Sequence, residues 1–230
     1  MRLSIVIPAL DEAASIREAL AALEPLRGRG AEVIVVDGGS RDGTIERARP
    51  LADLVITAPR GRGSQMNAGA AAANNDVLLF LHADTRLPPD PDRLLVDLFA
   101  HSDRAWGRFD VTIAGRSPLL RVVAAMMNWR SRVTGIATGD QAMFMTRAAF
   151  ARAGGFPDIP LMEDVVMSRR LKAIGPPACL AARVTTSGRR WDRDGVVRTI
   201  FMMWRLRLAF FLGAEPARLA RQYGYGVRDA

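Results

Sequence analysis

The feature that most narrows the fold is an alternation in the first third of the chain, where four short runs rich in Val, Ile and Leu are separated by stretches of helical periodicity. Residues 3–8 (LSIVIP), Glu32–Asp37 (EVIVVD), Leu54–Thr57 and residues 77–82 read as strands with both faces apolar, as in a sheet covered on both sides. Between them, Asp11 is placed to N-cap a helix carrying Ile16, Leu20 and Leu23 on one face, and residues 44–51 and 65–73 suit two further helices. This βαβα order argues for an α/β fold, a Rossmann-like doubly wound and mostly parallel sheet with helices on both faces.

Downstream the pattern changes. After RLPPDPDR come a strand-like GRFDVTIAG, a helix from Leu119 to about Arg132, and a second strand in QAMFM. Helices are expected over Arg147–Ala153 and residues 164–173, then a longer one through Val197, Ile200, Phe201, Trp204, Leu208 and Phe211, whose stripe reads as a core-packing seam. Repeats and low-complexity tracts are absent from the sequence, so it reads as one domain: a nucleotide-binding half (1–100), an acceptor half (101–195) and a C-terminal helical segment (196–230).

Composition limits the function classes. With 49% hydrophobic and 24% charged residues, the chain is a folded protein rather than a disordered one. Its apolar runs are broken by charge well short of the ~18 residues of a membrane helix, and the N-terminus lacks the h-region of a signal peptide. The single Cys179 cannot form an internal disulfide and no Cys/His set has zinc spacing, which together suggest a cytoplasmic protein. Of the net charge of +8, ten arginines against four carboxylates place +6 in residues 183–230. Such a surface suits anionic lipid, nucleic acid or a phosphorylated substrate; the plain alternative is a solvated arginine-rich face.

In an open parallel sheet, ligands bind beyond the carboxyl ends of the strands. Polar clusters follow each predicted strand in turn: PALDE, DGGSRDGT, PRGRGSQMNAG and HADT. Asp37, before Gly38 and Gly39, can accept hydrogen bonds from a base or ribose, or else caps a local turn together with Asp42. Residues 60–69 bring Arg60, Arg62, Gln65 and Asn67 to a helix entry, either an anion site or a solvated loop. Asp84 is a hard oxygen donor suited to Mg²⁺ or Mn²⁺, and His82 lies on the same side if the strand persists. Glu163 and Asp164 open a helix, where the dipole alone favours them and where one of them can serve as a general base. TSGRRW offers Arg190 and Trp191 for phosphate contact and sugar stacking, or an exposed turn with a core Trp.

In this order, these stretches resemble family 2 glycosyltransferases of the GT-A fold. IVIPALDE is similar to P-x-x-N-E, VDGGSRDGT to V-D-D-G-S-x-D-G-T, LHADT to the D-x-D stretch, MEDVVMSRRL to the E-D motif and GRRW to the R-W end of an acceptor-side motif. More narrowly, the chain resembles a small bacterial subgroup that shares the LHADT spelling and has no membrane spans. The resemblance implies a hexosyltransferase-like enzyme with a nucleotide-sugar donor, a UDP-sugar, a divalent cation and an inverting transfer. Pro8, Leu10, Glu12, Asp37, Gly38, Ala83 and the 62–67 stretch with Arg62, Gln65 and Asn67 would hold the donor. Asp84 would bind Mg²⁺ or Mn²⁺, Asp164 would act as base assisted by Glu163, and Gly139, Asp140, Arg190 and Trp191 would meet the acceptor.

Three positions depart from the family pattern: Asp11 stands for Asn, Gly38 for the second Asp of D-D-G-S, and His82 for the first Asp of D-x-D. The acceptor is open, a small molecule or a lipid, with peripheral membrane contact through the basic C-terminal segment and no nucleic acid expected. Two other readings compete. A sugar nucleotidyltransferase would need a G-x-G-T-R-type loop, which is missing, and a noncatalytic protein would use the same basic segment to bind an anionic surface.

Overall fold

A computed structural model describes residues 1–225. The strands are β1 (Leu3–Ala9), β2 (Glu32–Asp37), β3 (Leu54–Thr57), β4 (Val77–Phe80), β5 (Thr85–Arg86), β6 (Trp106–Ala114), β7 (Phe144–Thr146) and β8 (Ala178–Ser187). They form one eight-stranded sheet in the order β3-β2-β1-β4-β7-β6-β8-β5. The first four pair in parallel, while β7 runs antiparallel to both β4 and β6, and β6 pairs in parallel with β8. The N-terminal half and the later half therefore share a sheet through β7. The sheet is mixed and mostly parallel, as the alternation of strands and helices implied.

The helices are α1 (Ile16–Ala21), α2 (Glu24–Arg27), α3 (Thr44–Ala48), α4 (Arg62–Ala72), α5 (Pro91–His101), α6 (Leu119–Thr134), α7 (Arg147–Ala153), α8 (Glu163–Lys172), α9 (Arg189–Asp194), α10 (Val196–Phe211) and α11 (Pro216–Tyr223). All seven residues of β1 are buried, as a central strand covered on both faces demands. The Ala- and Gly-rich composition of α4 has a packing cause. A Cβ at Gly69 would collide with Val6 and Val36, so the small residue lets α4 lie close on β1 and β2 and brings Arg62 to the strand ends.

In the later half, α6 is fixed against β6 by polar clamps. The Asn128 side chain donates to the Val111 carbonyl (3.0 Å) and accepts from the Val111 N–H (2.8 Å). The fully buried Arg108 guanidinium donates to Asp110, to Ser131 Oγ (3.0 Å) and to the Asn128 carbonyl (3.1 Å), and Arg132 joins Asp110 from α6 at 2.7 Å. Hydrogen bonds at this many points leave α6 one rotational setting.

Several expectations are corrected. Asp11 caps no helix: it sits at φ 54°, accepts from the Arg41 N–H at 2.9 Å, and the helix begins only at Ile16. Residues 62–67 are the first turns of α4, not a loop. The fourth strand stops at Phe80, so His82 and Asp84 stand in a turn closed by the Thr85 N–H on the His82 carbonyl (3.0 Å). In QAMFM only Phe144 and Met145 are strand, because Gly139–Gln141 form a 3₁₀ turn. TSGRRW is regular: Thr186 and Ser187 end β8, and Arg189 opens α9.

The largest correction concerns the C-terminal stripe. Val197, Phe201, Trp204, Leu208 and Phe211 are exposed, Trp204 by 61%, and α10 buries Val196, Thr199 and Leu206 instead. Of the expected seam only Ile200 packs on the core; the rest of the stripe faces outward, while Met202, Ala209 and Phe210 join the buried residues on the inner side, so α10 is apolar on both sides. Among the described residues, no helix is long and apolar enough to cross a membrane.

Candidate active site

Because β1, β2 and β4 are parallel, their carboxyl ends open on one side, with Ala9 beside Asp37 in register. A cavity of about 570 Å³ lies there. Pro8, Leu10 and Glu12 line it from the end of β1, Arg62 and Gln65 from α4, and Ala83 and Asp84 from the turn after β4. Asp140, Arg190 and Trp191 line its opposite side. A second hollow of about 390 Å³ lies by Met1, Leu3 and Val77, at the opposite, amino ends of the strands.

Asp37 divides its carboxylate between two tasks. Oδ2 accepts from the Gly39 and Ser40 N–H groups at 2.8 and 2.9 Å, while Oδ1 is buried without a hydrogen-bond partner. The turn and the ligand-acceptor readings are therefore compatible, one for each oxygen. Asp37 itself is buried beside Ala9 and is not on the cavity lining, so its unmatched Oδ1 lies just beneath the wall that Ala9 forms.

Gln65 and Asn67 are held by backbone. Gln65 Nε2 donates to the carbonyls of Ala9 and Val36, both at 2.8 Å, tying the ends of β1 and β2 together. Asn67 donates to the Phe156 carbonyl (2.8 Å) and accepts from its N–H (2.9 Å). A Cβ at Gly38 would stand 3.0 Å from the Gln65 amide. The departure from D-D-G-S thus has a local cause: the clamping Gln65 occupies the space of a side chain at 38.

His82 has a similar partner. Its Nδ1 lies 3.5 Å from Asp140 Oδ1, and a Cβ at Gly139 would run into the imidazole. Desolvation is the largest influence on His82 and works against its charge, but the hydrogen bond with Asp140 and the charges of Asp140 and Asp84 together raise the imidazole pKa; desolvation likewise opposes charge on Asp140, where His82, Arg62 and Arg207 together lower the pKa. Asp140 is thereby held on the cavity wall near Asp84. Among the described residues, the Asp84 carboxylate has only long contacts, Arg189 Nη2 at 3.8 Å and Thr85 Oγ1 at 3.4 Å.

Glu163 and Asp164 begin α8 behind this wall and do not line the cavity itself. Burial pushes the Glu163 carboxyl up even though its Oε1 meets Arg62 Nε at 3.0 Å, and its Oε2 has no partner. Asp164 Oδ2 accepts from the Gly139 N–H (2.9 Å) and Oδ1 from its neighbour Val165 (2.7 Å), which fixes the carboxylate's orientation. Arg190 stacks on Tyr223 at 3.8 Å, and Arg62 lies 5.3 Å from the Tyr225 ring. These tyrosines line the cavity and were not anticipated, although they are the chain's only two and stand two apart near its end. Trp191 both lines the cavity and packs on the core.

Comparison with known proteins places this geometry. The undecaprenyl-phosphate 4-deoxy-4-formamido-L-arabinose transferase of Pseudomonas aeruginosa is 30% identical over 145 residues, covering 58% of this chain and 40% of that protein. The chain spans about half the length of the curated relatives it matches. Staphylococcus aureus TarS 1-349 in complex with UDP superposes with a TM-score of 0.67 at 18% identity, over 81% of this chain and 60% of that one. The Pyrobaculum calidifontis mannosyltransferase in complex with GDP-Man and Mn²⁺ gives 0.63 at 22% identity, over 99% and 64%. Both likenesses establish the fold. The family model for glycosyl transferase family 2 matches residues 4–151, which run through the cavity's donor wall, the Asp84 turn and the Gly139–Asp140 turn, and the chain belongs to that family.

Proposed function

We propose that the protein transfers a sugar from a nucleotide-sugar donor, a UDP-sugar, to a hydroxyl of a small-molecule or lipid acceptor, with inversion at the anomeric carbon. The observation that carries this reading is the convergence at one set of strand ends of an unmatched acceptor, Asp37 Oδ1, a guanidinium, Arg62, and a loosely held carboxylate, Asp84. The neighbours named for complexes with UDP and with GDP-Man support a nucleotide-sugar donor.

Asp37 Oδ1 receives a hydrogen bond from the base or ribose, and Arg62 faces the diphosphate. Burial is the largest influence on Arg62 and opposes its charge, but Glu163, Asp164 and the two tyrosines together more than offset it, so the guanidinium stays ionised. Asp84 fits a Mg²⁺ or Mn²⁺ site, because its long contacts leave carboxylate oxygens available to a hard cation. Among the described residues no group of three His, Cys, Asp or Glu side chains could hold a metal ion, and Asp84 is the residue that would hold the cation. When bound, it would neutralise charge on the departing diphosphate.

Asp164 removes the acceptor proton. The acceptor oxygen forms the new bond to the anomeric carbon from the face opposite the leaving group, and the old C–O electron pair leaves with the nucleoside diphosphate. The Gly139 N–H holds Asp164 in orientation, and Glu163 positions Arg62. Asp164→Asn is expected to lower nucleoside diphosphate release in the presence of acceptor by about 100-fold or more while nucleotide binding persists. Turnover near that of the wild type would remove Asp164 from the base role, and an NMR assignment of the product's anomeric configuration tests inversion.

A further inference from the structure

Outside the cavity lining, two half-buried arginines have buried guanidinium N–H groups that meet no partner among the described residues. Arg130 on α6 has Nε and Nη2 inaccessible and without hydrogen-bond partners, and Arg207 on α10 has its Nε in the same condition. Burial, and then Arg207, push the Arg130 pKa down to about 10, while Asp164 acts in the opposite direction. Arg207 also acts on Asp140. Two like charges thus lie within electrostatic reach of each other and of the carboxylates assigned to the reaction. Buried N–H donors on cations are costly unless an anion meets them, and phosphate oxygens suit guanidinium forks.

The same two helices carry the chain's exposed apolar stripes. α6 presents Leu119, Val122, Met126, Trp129 and Val133, spaced three and four apart, and α10 presents Val197, Phe201, Trp204, Leu208 and Phe211. The polar clamps on the inner face of α6 show that its outward stripe follows from a fixed setting. Arg130 follows Trp129 and Arg207 precedes Leu208, so the unmatched cations adjoin the apolar faces. Arg198 and Arg205 are exposed on α10 as well. A second copy of this +8 chain would set arginine against arginine, whereas an anionic lipid surface complements both the charge and the stripes.

We propose that Arg130 and Arg207 bind the phosphate of a phosphorylated lipid acceptor beside Asp164, and that the stripes of α6 and α10 lie in the membrane surface from which that lipid enters. The proposal rests on the glycosyltransferase reading and deepens it, since it gives the acceptor a phosphate as an anchor and hydrocarbon as its second feature. The transferring hydroxyl and the proton path to Asp164 are those described above.

The test uses the full chain with two probes: inorganic phosphate followed by calorimetry, and flotation with vesicles of equimolar phosphatidylcholine and phosphatidylglycerol against phosphatidylcholine alone. Wild type should bind both phosphate and the anionic vesicles. Arg130→Gln/Arg207→Gln should weaken phosphate binding about tenfold or more. Arg198→Gln/Arg205→Gln removes the same charge from the exposed face and should leave phosphate binding unchanged. Phe201→Ser/Trp204→Ser should abolish flotation and retain phosphate binding.

Equal phosphate affinity in the two arginine pairs would overturn the anion site. Phosphate binding without flotation of the wild type would overturn the lipid source and leave a soluble phosphorylated acceptor, and flotation that survives the stripe substitutions would overturn the docking face. A melting curve checks the fold of each variant, with Arg130→Lys, which keeps the charge but not the fork, as a milder substitute. UDP-sugar binding is measured in parallel: its loss in the wild type would defeat the enzyme reading without affecting the phosphate and vesicle results.

Discussion

On the donor side, beneath the ends of β1, β2 and β4, polar side chains find partners inside the protein. Gln65 bridges two strands, Asn67 bonds Phe156 in both directions, and Asp42 receives the Ala13 N–H. Among the described residues, Asp37 Oδ1 is the buried side-chain atom left unmatched there. On the acceptor side the unmatched atoms are Arg130 Nε and Nη2, Arg207 Nε and Glu163 Oε2, and two helices show apolar stripes to solvent. The first region is a finished frame with one acceptor left for a donor molecule, whereas the second has cations and apolar surface that its own chain does not cover. A self-satisfied frame suits a ligand that always has the same polar handle. An unsatisfied face suits a partner that brings its own charge and its own hydrocarbon.

The largest expected effect tests whether Asp37 is the single opening in that frame. In Asp37→Asn one oxygen can keep the Gly39 and Ser40 hydrogen bonds, while an NH₂ replaces the unmatched acceptor Oδ1. Affinity for UDP is expected to fall about ten- to a hundredfold, the range for a lost hydrogen bond to a charged group. Calorimetric titration reads this directly. Unchanged affinity would mean that the donor does not use the atom, and the contrast between the two regions would lose its donor half.

A smaller effect tests how tightly the frame is packed. Gly38→Asp restores the family spelling, yet its Cβ would stand 3.0 Å from the Gln65 amide. The substitution is expected to cost about 1–3 kcal/mol in urea denaturation, as overpacking does. Combining it with Gln65→Ala should give a coupling energy of about 1 kcal/mol or more, because the neighbour that made the glycine necessary is gone. Strict additivity would show that the two positions do not meet. The equivalent pair across the site, His82 against Gly139, shows the same logic of a departure matched by a nearby glycine.

These pairs also show what the sequence makes legible. The strands β1 to β3 stand within a residue of their expected bounds because continuous Val/Ile/Leu runs leave a buried strand few alternatives. The cavity gathers Glu12, Arg62, Asp84, Asp140 and Arg190 as the motif order implied, since parallel strands must converge at their carboxyl ends. Residue contacts across the chain were not legible. Nothing local in DGGS shows Gln65, and nothing in HADT shows Asp140. β8 was missed because ACLAARVTTS alternates poorly, with burial from β6 on one edge and the two-residue β5 on the other. The α10 stripe was read correctly as a stripe and wrongly as core, because periodicity gives a helix its apolar side but not what that side meets.

The smallest effect asks whether the donor frame depends on its outer polar clamps. Asp53, just before β3, accepts from the Val33 N–H at 2.8 Å and from Arg27 Nη2 at 2.7 Å, joining α2 to the edge of the sheet. The Arg27 hydrogen bond holds the Asp53 carboxyl below its ordinary value despite partial burial. A lowered folded pKa means that the contribution is present above the unfolded value of about 3.9 and is lost as pH falls through the folded one. Asp53→Asn can still accept from Val33 but loses the ionic contact with Arg27. Because the pair is partly exposed, the expected deficit at neutral pH is at most about 1 kcal/mol, and it should close in acid as wild-type Asp53 protonates. Urea denaturation of both proteins at neutral pH and near pH ~3 reads the difference. A deficit that persists unchanged in acid would show that Asp53 serves the frame through its shape and not through its charge. The self-satisfaction of the donor side would then rest on its neutral backbone clamps, Gln65 and Asn67, alone.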